Sequence, residues 1–192
     1  MDVTEAVDHP PRRRGVVLVA AAVVAVGMVA LIVVLATREP AQDRDTDSPL
    51  VGEIAPPLAG DTITTVDSMP AAFDLDRLRG QWAVVNFFAT WCVPCITEHP
   101  ELVAFSERHA EVGDASVVSV VFDDDAADVA AFFEENGGEW PVIDGEQVIL
   151  DWAVAAVPES FLVSPDGIVV AKITGGVTAE ALDDLIEQVS GE

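Results

Sequence analysis

Residues Ala83-Val84-Val85-Asn86-Phe87-Phe88-Ala89-Thr90-Trp91-Cys92-Val93-Pro94-Cys95 decide how this chain is read. Ala83 to Ala89 is a continuous run rich in β-branched and aromatic residues, the composition of a strand buried on both faces. From Cys92 to about His109 the pattern turns helical, with Pro100 expected to interrupt it. Cys92 therefore stands where a buried strand ends and a helix begins. There its sulfur meets unpaired backbone amides and the positive end of the helix dipole, which favour thiolate over thiol. A Cys-X-X-Cys motif so placed has a thiol pKa of about 3.5–7.5. The thiolate attacks disulfides through a mixed-disulfide intermediate. Cys95, one helical turn further on and expected to be the more buried, would resolve that intermediate. Pro94 falls within the first turn, where it sacrifices no helical hydrogen bond.

Two plainer readings compete. A stabilising Cys92–Cys95 disulfide would close so short a loop that it contributes only about 2 kcal/mol. A metal site would need further ligands, and His9, His99 and His109 form no array with zinc spacing. Redox chemistry fits the placement best.

Outward from the motif the chain alternates strands and helices. Ala115 to Phe122 is a second buried strand, and Asp125 to Asn136 an amphipathic helix stopped by Gly137-Gly138. After a short helical stretch near Gln147 to Trp152, strands are expected at Ser160–Val163 and Ile168–Thr174. The turn Ser164-Pro165-Asp166-Gly167 joins them. Thr178 caps a last helix with Ala181, Leu182, Leu185, Ile186 and Val189 on one stripe. The pattern is an α/β fold with a mixed sheet flanked by helices.

The N-terminal part is organised differently. Residues 1–14 form a polar tail ending in Arg12-Arg13-Arg14. Residues 15–36 carry no charge and, at 1.5 Å per residue, span a hydrocarbon core of about 30 Å. The arginines just before them predict a cytoplasmic tail and a domain on the extracytoplasmic side of the cell membrane. A cleaved signal peptide is the rival reading, since Val34-Leu35-Ala36 would pass as a cleavage site. The apolar run exceeds the usual signal length, which favours a signal-anchor. Residues 37–49 read as a flexible linker, and residues 50–192 as one globular domain. That last segment holds 4 Lys plus Arg against 27 acids, a net of −23, and Lys172 is the only lysine. Such a balance excludes nucleic acid as a partner and reads as a solvated acidic surface.

Trp91-Cys92-Val93-Pro94-Cys95-Ile96-Thr97-Glu98-His99-Pro100 resembles the WCxPCxxExP segment of thioredoxin-like proteins of the TlpA/ResA/CcmG type. Gly52-Glu53-Ile54-Ala55-Pro56, Leu78-Arg79-Gly80, Val84–Ala89 and Val157-Pro158-Glu159-Ser160-Phe161-Leu162-Val163 resemble other motifs of that family, in order. The resemblance implies a thioredoxin fold with a central insertion within Asp123–Leu150, and a cis Val157–Pro158 bond whose loop packs on the motif. It further implies a redox-active Cys92–Cys95 disulfide, a shielding role for Trp91, and a client groove involving Trp91, Val157, Pro158 and Glu159, with a surface role as the alternative for Glu159. Ordinary thioredoxins keep a buried aspartate where this chain has Asn86, so the resemblance assigns proton handling for Cys95 to Glu98; a solvated helix glutamate is the alternative. His99 departs from the pattern and reads as packed and hydrogen-bonded, or else as tuning a thiolate. His109 is expected at the surface, and Trp82, Trp140 and Trp152 in packing roles.

Three functions follow. The first is reduction of disulfides in exported proteins, such as the haem-attachment cysteines of apocytochromes c, with electrons from a membrane thiol transporter. The second is a disulfide donor or isomerase, and the third a copper-delivery module. No cofactor and no metal are expected, and a monomer is the default.

Overall fold

The computed structural model describes residues 14–36, 43–44, 48–63, 71–145 and 148–191. Most of the expected tail, and positions 37–42 and 45–47 of the expected linker, lie outside the described residues. The chain divides into two units, Met1–Glu39 and Pro40–Glu192.

The first unit contains one helix, α1, Arg14–Ala36. Its described side chains, from 18 to 32, are apolar and exposed all round. They cover about 22 Å of helix at 1.5 Å per residue. Among the described residues no helix is long and apolar enough to cross a membrane.

In the second unit the order is β1 (Asp43–Arg44), β2 (Ala59–Asp61), β3 (Ala72–Asp74), a 3-10 turn Leu75–Leu78 and β4 (Trp82–Phe88). Then come α2 (Val93–Ala110), β5 (Ala115–Val121), α3 (Ala126–Asn136), β6 (Val142–Asp144) and α4 (Val148–Asp151). Last are β7 (Glu159–Val163), β8 (Val169–Thr174) and α5 (Ala179–Ser190). Six strands form a mixed sheet in the order β1-β8-β7-β4-β5-β6, and β2 and β3 pair separately. β4, β5 and β6 are parallel, while β7 runs antiparallel to β4 and β8 antiparallel to β7. The α/β architecture with a mixed sheet is the one expected.

Strand alternation divides the core. Val84 and Phe88 point toward α2, α3 and α5, where they meet Leu102, Phe105, Phe133 and Leu182. Val85 and Phe87 point the other way, onto Leu58, Phe73 and Trp152. This explains why Val84–Phe88 is apolar at every position but one: β4 lies in the middle of the sheet with both faces covered. Its one polar residue, Asn86, shares the face of Val84 and Phe88 and is equally buried.

Three expectations need correction. Pro100 does not interrupt α2, which runs unbroken from Val93 to Ala110. Buried Cys95, His99, Leu102 and Phe105 anchor the turns on both sides of it, and that packing outweighs the lost N–H bond. The linker is not wholly free of the domain, because Asp43 and Arg44 pair with Thr174 and Ile173 at the edge of β8. No sequence signal marked so short a strand. Trp152 and Trp140 are core residues as expected, but His109 is not at the surface. It is half-buried between Asp114 and Asp183, where α2 packs on α5.

Other elements match closely. The Ser164–Gly167 turn closes through Gly167 N–H to Ser164 O at 2.7 Å and Ser164 N–H to Ile168 O at 2.8 Å. Thr178 caps α5 by accepting from the Ala181 amide. The stretch 123–150 folds into α3, the edge strand β6 and most of α4, with residues 146–147 outside the described set.

Candidate active site

β4 ends at Phe88, and four residues later Cys92 caps α2. Cys92 Sγ accepts a hydrogen bond from the Cys95 amide at 3.2 Å. The first-turn amide therefore points at the sulfur, the arrangement that stabilises a thiolate when the pair is reduced. Cys92 and Cys95 form a disulfide, and there is no third cysteine. Both are 3% exposed, so Cys95 is no more buried than Cys92 in this oxidised state. Around them Trp91 (58%), Val93 (71%) and Ile96 (43%) are apolar and exposed. Trp91 is thus beside the motif in the chain but open to solvent.

Glu98 is not a solvated glutamate. It is 3% exposed, on the face of α2 that carries Cys95 three residues before it. Asn86 Nδ2 donates to its Oε1 at 2.8 Å, and the Val177 amide donates to its Oε2 at 3.0 Å. Burial pushes its carboxyl up to about 7, although the bonds from Asn86 and Val177 act in the opposite direction. A carboxyl with that midpoint exchanges protons readily near neutral pH. Asn86 Nδ2 also donates to Ser160 Oγ at 3.1 Å, so β4 and the segment before α5 bond the carboxyl directly while β7 holds its Asn86 donor.

The Val157–Pro158 bond is cis, as the family resemblance implied. The β4–β7 register sets Glu159 opposite Phe87, which places Pro158 at the end of the sheet where the motif begins. Pro158 O accepts from the Gly175 amide at 3.0 Å, tying this loop to the segment that holds Glu98. Val157 is partly buried and packs against both cores.

Glu159 departs from its expected place in a groove. Alternation turns it to the far face of the sheet from Asn86, Ser160 and Glu98. There it is 3% exposed, with Oε2 at 3.1 Å from Lys172 Nζ. That contact is an ion pair whose orientation does not make a hydrogen bond. Lys172 also lies 5.5 Å from the centre of the Phe161 ring.

His99 is packed and hydrogen-bonded, the first of its two readings. Its Nε2 lies 2.9 Å from Gly137 O, and the rings of Phe132, Phe133 and Trp140 surround it. Burial lowers its pKa, with the Gly137 carbonyl opposing, so the neutral ring is favoured.

Sequence reasoning missed Asn86 as the donor to Glu98, Ser160 beside it, and the β5–α3 loop. In that loop Asp124 Oδ2 accepts from Thr90 N at 2.5 Å and from Thr90 Oγ1 at 2.7 Å. Trp91 Nε1 donates to Asp123 O at 3.0 Å. The one available signal was the run Asp123-Asp124-Asp125 at the end of a buried strand. Among the described residues no cluster of His, Cys, Asp and Glu could hold a metal ion.

The family model described as Redoxin matches residues 50–187. Thiol-disulfide oxidoreductase ResA of Bacillus thuringiensis (strain Al Hakam) is 31% identical over 150 residues, 76% of this chain and 82% of that protein. Thiol:disulfide interchange protein HelX of Rhodobacter capsulatus is 32% identical over 117 residues, 59% of this chain. The match spans 64% of HelX, just under two thirds. Among solved structures, a thiol:disulfide interchange protein of the thioredoxin family from Chlorobium tepidum TLS superposes with a TM-score of 0.63 at 24% identity. It covers 70% of this chain and 94% of that one, a likeness of fold.

Proposed function

This chain belongs to the Redoxin family and is a thiol–disulfide oxidoreductase of the TlpA/ResA/CcmG type, and we propose that it reduces disulfides of exported proteins from an anchor in the cell membrane. The carrying observation is the buried Glu98 carboxyl, titrating near neutrality one helical turn from Cys95. In the reduced protein the Cys92 thiolate attacks a client disulfide. One client sulfur leaves as thiolate and takes up a proton, and the other is held in a mixed disulfide with Cys92. Glu98 accepts the Cys95 proton, and the Cys95 thiolate then attacks Cys92 Sγ. The client departs as a dithiol, and the Cys92–Cys95 disulfide carries away its two-electron deficit. Pro158 borders the place where the client chain would lie, with Val157 and Trp91 beside it.

The substrates proposed are haem-attachment cysteines of apocytochromes c, and the electron source is a membrane thiol transporter; both rest on the family resemblance. The anchor reading rests on the uncharged run 15–36 behind three arginines and on the apolar, exposed side chains from 18 to 32 of α1.

A Cys95→Ser chain tests the reading. Cys92 should attack but not release its partner, so exported client proteins should accumulate in mixed disulfides. A disulfide donor would instead show a couple near the oxidising end of the scale, about −120 mV. That value, or an empty trap together with a Cys92 thiol of ordinary acidity, would refute the proposal.

A further inference from the structure

We infer that Asp124 is a positioning residue for Cys92: it clamps the turn ahead of the motif, and its charge holds the Cys92–Cys95 couple toward the disulfide. This rests on the reading of Cys92 as the attacking thiol, and it supplies a structural reason for the reducing direction.

Three residues separate the end of β4 from Cys92, and the β5–α3 loop holds two of them. Both donors of Thr90 end on one oxygen of Asp124. The other oxygen, Oδ1, accepts from the Asp125 amide at 2.9 Å. Trp91 is tied to the preceding residue, Asp123, whose backbone has a positive φ of 48°. A non-glycine residue in that region is held there by its surroundings. Asp124 is thus fixed at three points, half-buried, beside the segment that delivers Cys92 into α2.

Among the described side chains, the charges around the motif do not offset it. From the same loop come Asp123 and Asp125, and from α3 the exposed Asp128. On α2 itself, His99 is held toward its neutral form and Glu98 is buried against Asn86. On the far face of the sheet Glu159 and Lys172 face each other as a pair. From residue 48 onward the arginines lie elsewhere: Arg108 bonds Asp183 on α5, Arg79 pairs with Asp76, and Arg77 belongs to the 3-10 turn.

A fixed negative charge disfavours a neighbouring thiolate. Destabilising the thiolate destabilises the dithiol state relative to the disulfide, so the reduced protein gives up its electrons more readily. The equilibrium that reads this is balanced: the Cys92–Cys95 disulfide plus dithiothreitol gives the dithiol plus cyclic oxidised dithiothreitol. Two electrons and two protons pass.

The full chain and three variants, Asp124→Asn, Asp124→Glu and Thr90→Val, would be equilibrated in dithiothreitol redox buffers, with the dithiol fraction read by alkylation and mass. Thiolate ultraviolet absorbance would give the Cys92 titration in each. Asp124→Asn should lower the Cys92 pKa and shift the equilibrium toward dithiol by about three- to tenfold. Tenfold corresponds to about 30 mV. Asp124→Glu, which keeps the charge, should stay near wild type. Thr90→Val should lower thermal stability without moving the couple toward dithiol. The inference is overturned if Asp124→Asn leaves both quantities unchanged, or if Asp124→Glu or Thr90→Val shifts them as far as Asp124→Asn does. An unchanged couple in an Asp124→Asn chain whose Cys92 still captures clients would remove this inference and leave the reductase reading standing.

Discussion

Replacing Glu98 by glutamine should make the stability of the oxidised protein less sensitive to pH. The carboxyl titrates at about 7 in the folded chain, raised from 4.5 by burial. A raised acid pKa means that the folded state binds the proton more tightly than the unfolded state does. Stability from this group is then fully present below about 4.5 and declines as pH rises, until the carboxyl is ionised above about 7. At 1.36 kcal/mol per unit the decline is about 3 kcal/mol. Glutamine carries no charge and loses that slope. It also has a single acceptor for two donors, Asn86 Nδ2 and the Val177 amide, which costs about 1–3 kcal/mol at every pH. The variant should therefore be the weaker protein at pH 5 and should approach or overtake wild type by pH 8.5. Urea unfolding of both oxidised chains across that range gives the comparison. His99 and His109 titrate in both proteins and cancel in the difference. Parallel stability curves would refute the account, since they would mean that Glu98 is ionised throughout or is not buried as described.

Lys172→Met should destabilise by about 3–5 kcal/mol, because it leaves Glu159 charged and alone among apolar side chains. Adding Glu159→Gln should recover much of that loss, as a double-mutant cycle in denaturant would register. Gly145→Ala should cost about 1–3 kcal/mol, since a Cβ there would collide with Val120 Cγ1 and Val121 O; thermal unfolding reads it. His109 is raised in pKa: burial acts to lower it, but the bonds to Asp183 and Asp114 outweigh that. Its contribution is present below about 6.5 and lost as pH rises through the raised value. Asp183→Asn should bring the His109 midpoint down in an NMR titration and flatten that part of the stability profile.

The strands of the sheet centre were legible because burial on both faces leaves a compositional mark. Ala83–Ala89 and Ala115–Phe122 were placed within one or two residues of β4 and β5. Caps were equally legible, since Thr178 and Gly137 act through their own local chemistry. Edge pairing was not. Asp43–Arg44 is a strand only because β8 offers it an edge, and β2 and β3 are three residues each. Pro100 misled for a related reason: local propensity argued for a break, and the packing of α2 decided otherwise. In the site, Cys92 and Cys95 announced themselves by their spacing at a strand-to-helix junction, and Glu98 through the family resemblance. Their partners Asn86, Ser160 and Val177 come from other elements. Glu159 was misplaced because its side of the sheet depends on the β4–β7 register, which neighbourhood to Pro158 does not reveal.

The partners of Glu98 and Asn86 also fix an order of events. A chain made from its N-terminus presents Asn86, Cys92, Cys95 and Glu98 together, within a dozen residues. Ser160 follows 74 residues after Asn86, and Val177 follows 79 after Glu98. From Cys95 until Val177 emerges, the nascent protein thus holds two thiols without the acid–base apparatus that later governs them. With no third cysteine in the sequence, the only disulfide available within the chain during that interval is the native one. Premature oxidation can therefore be early without being wrong, and the newly made protein requires no isomerase of its own.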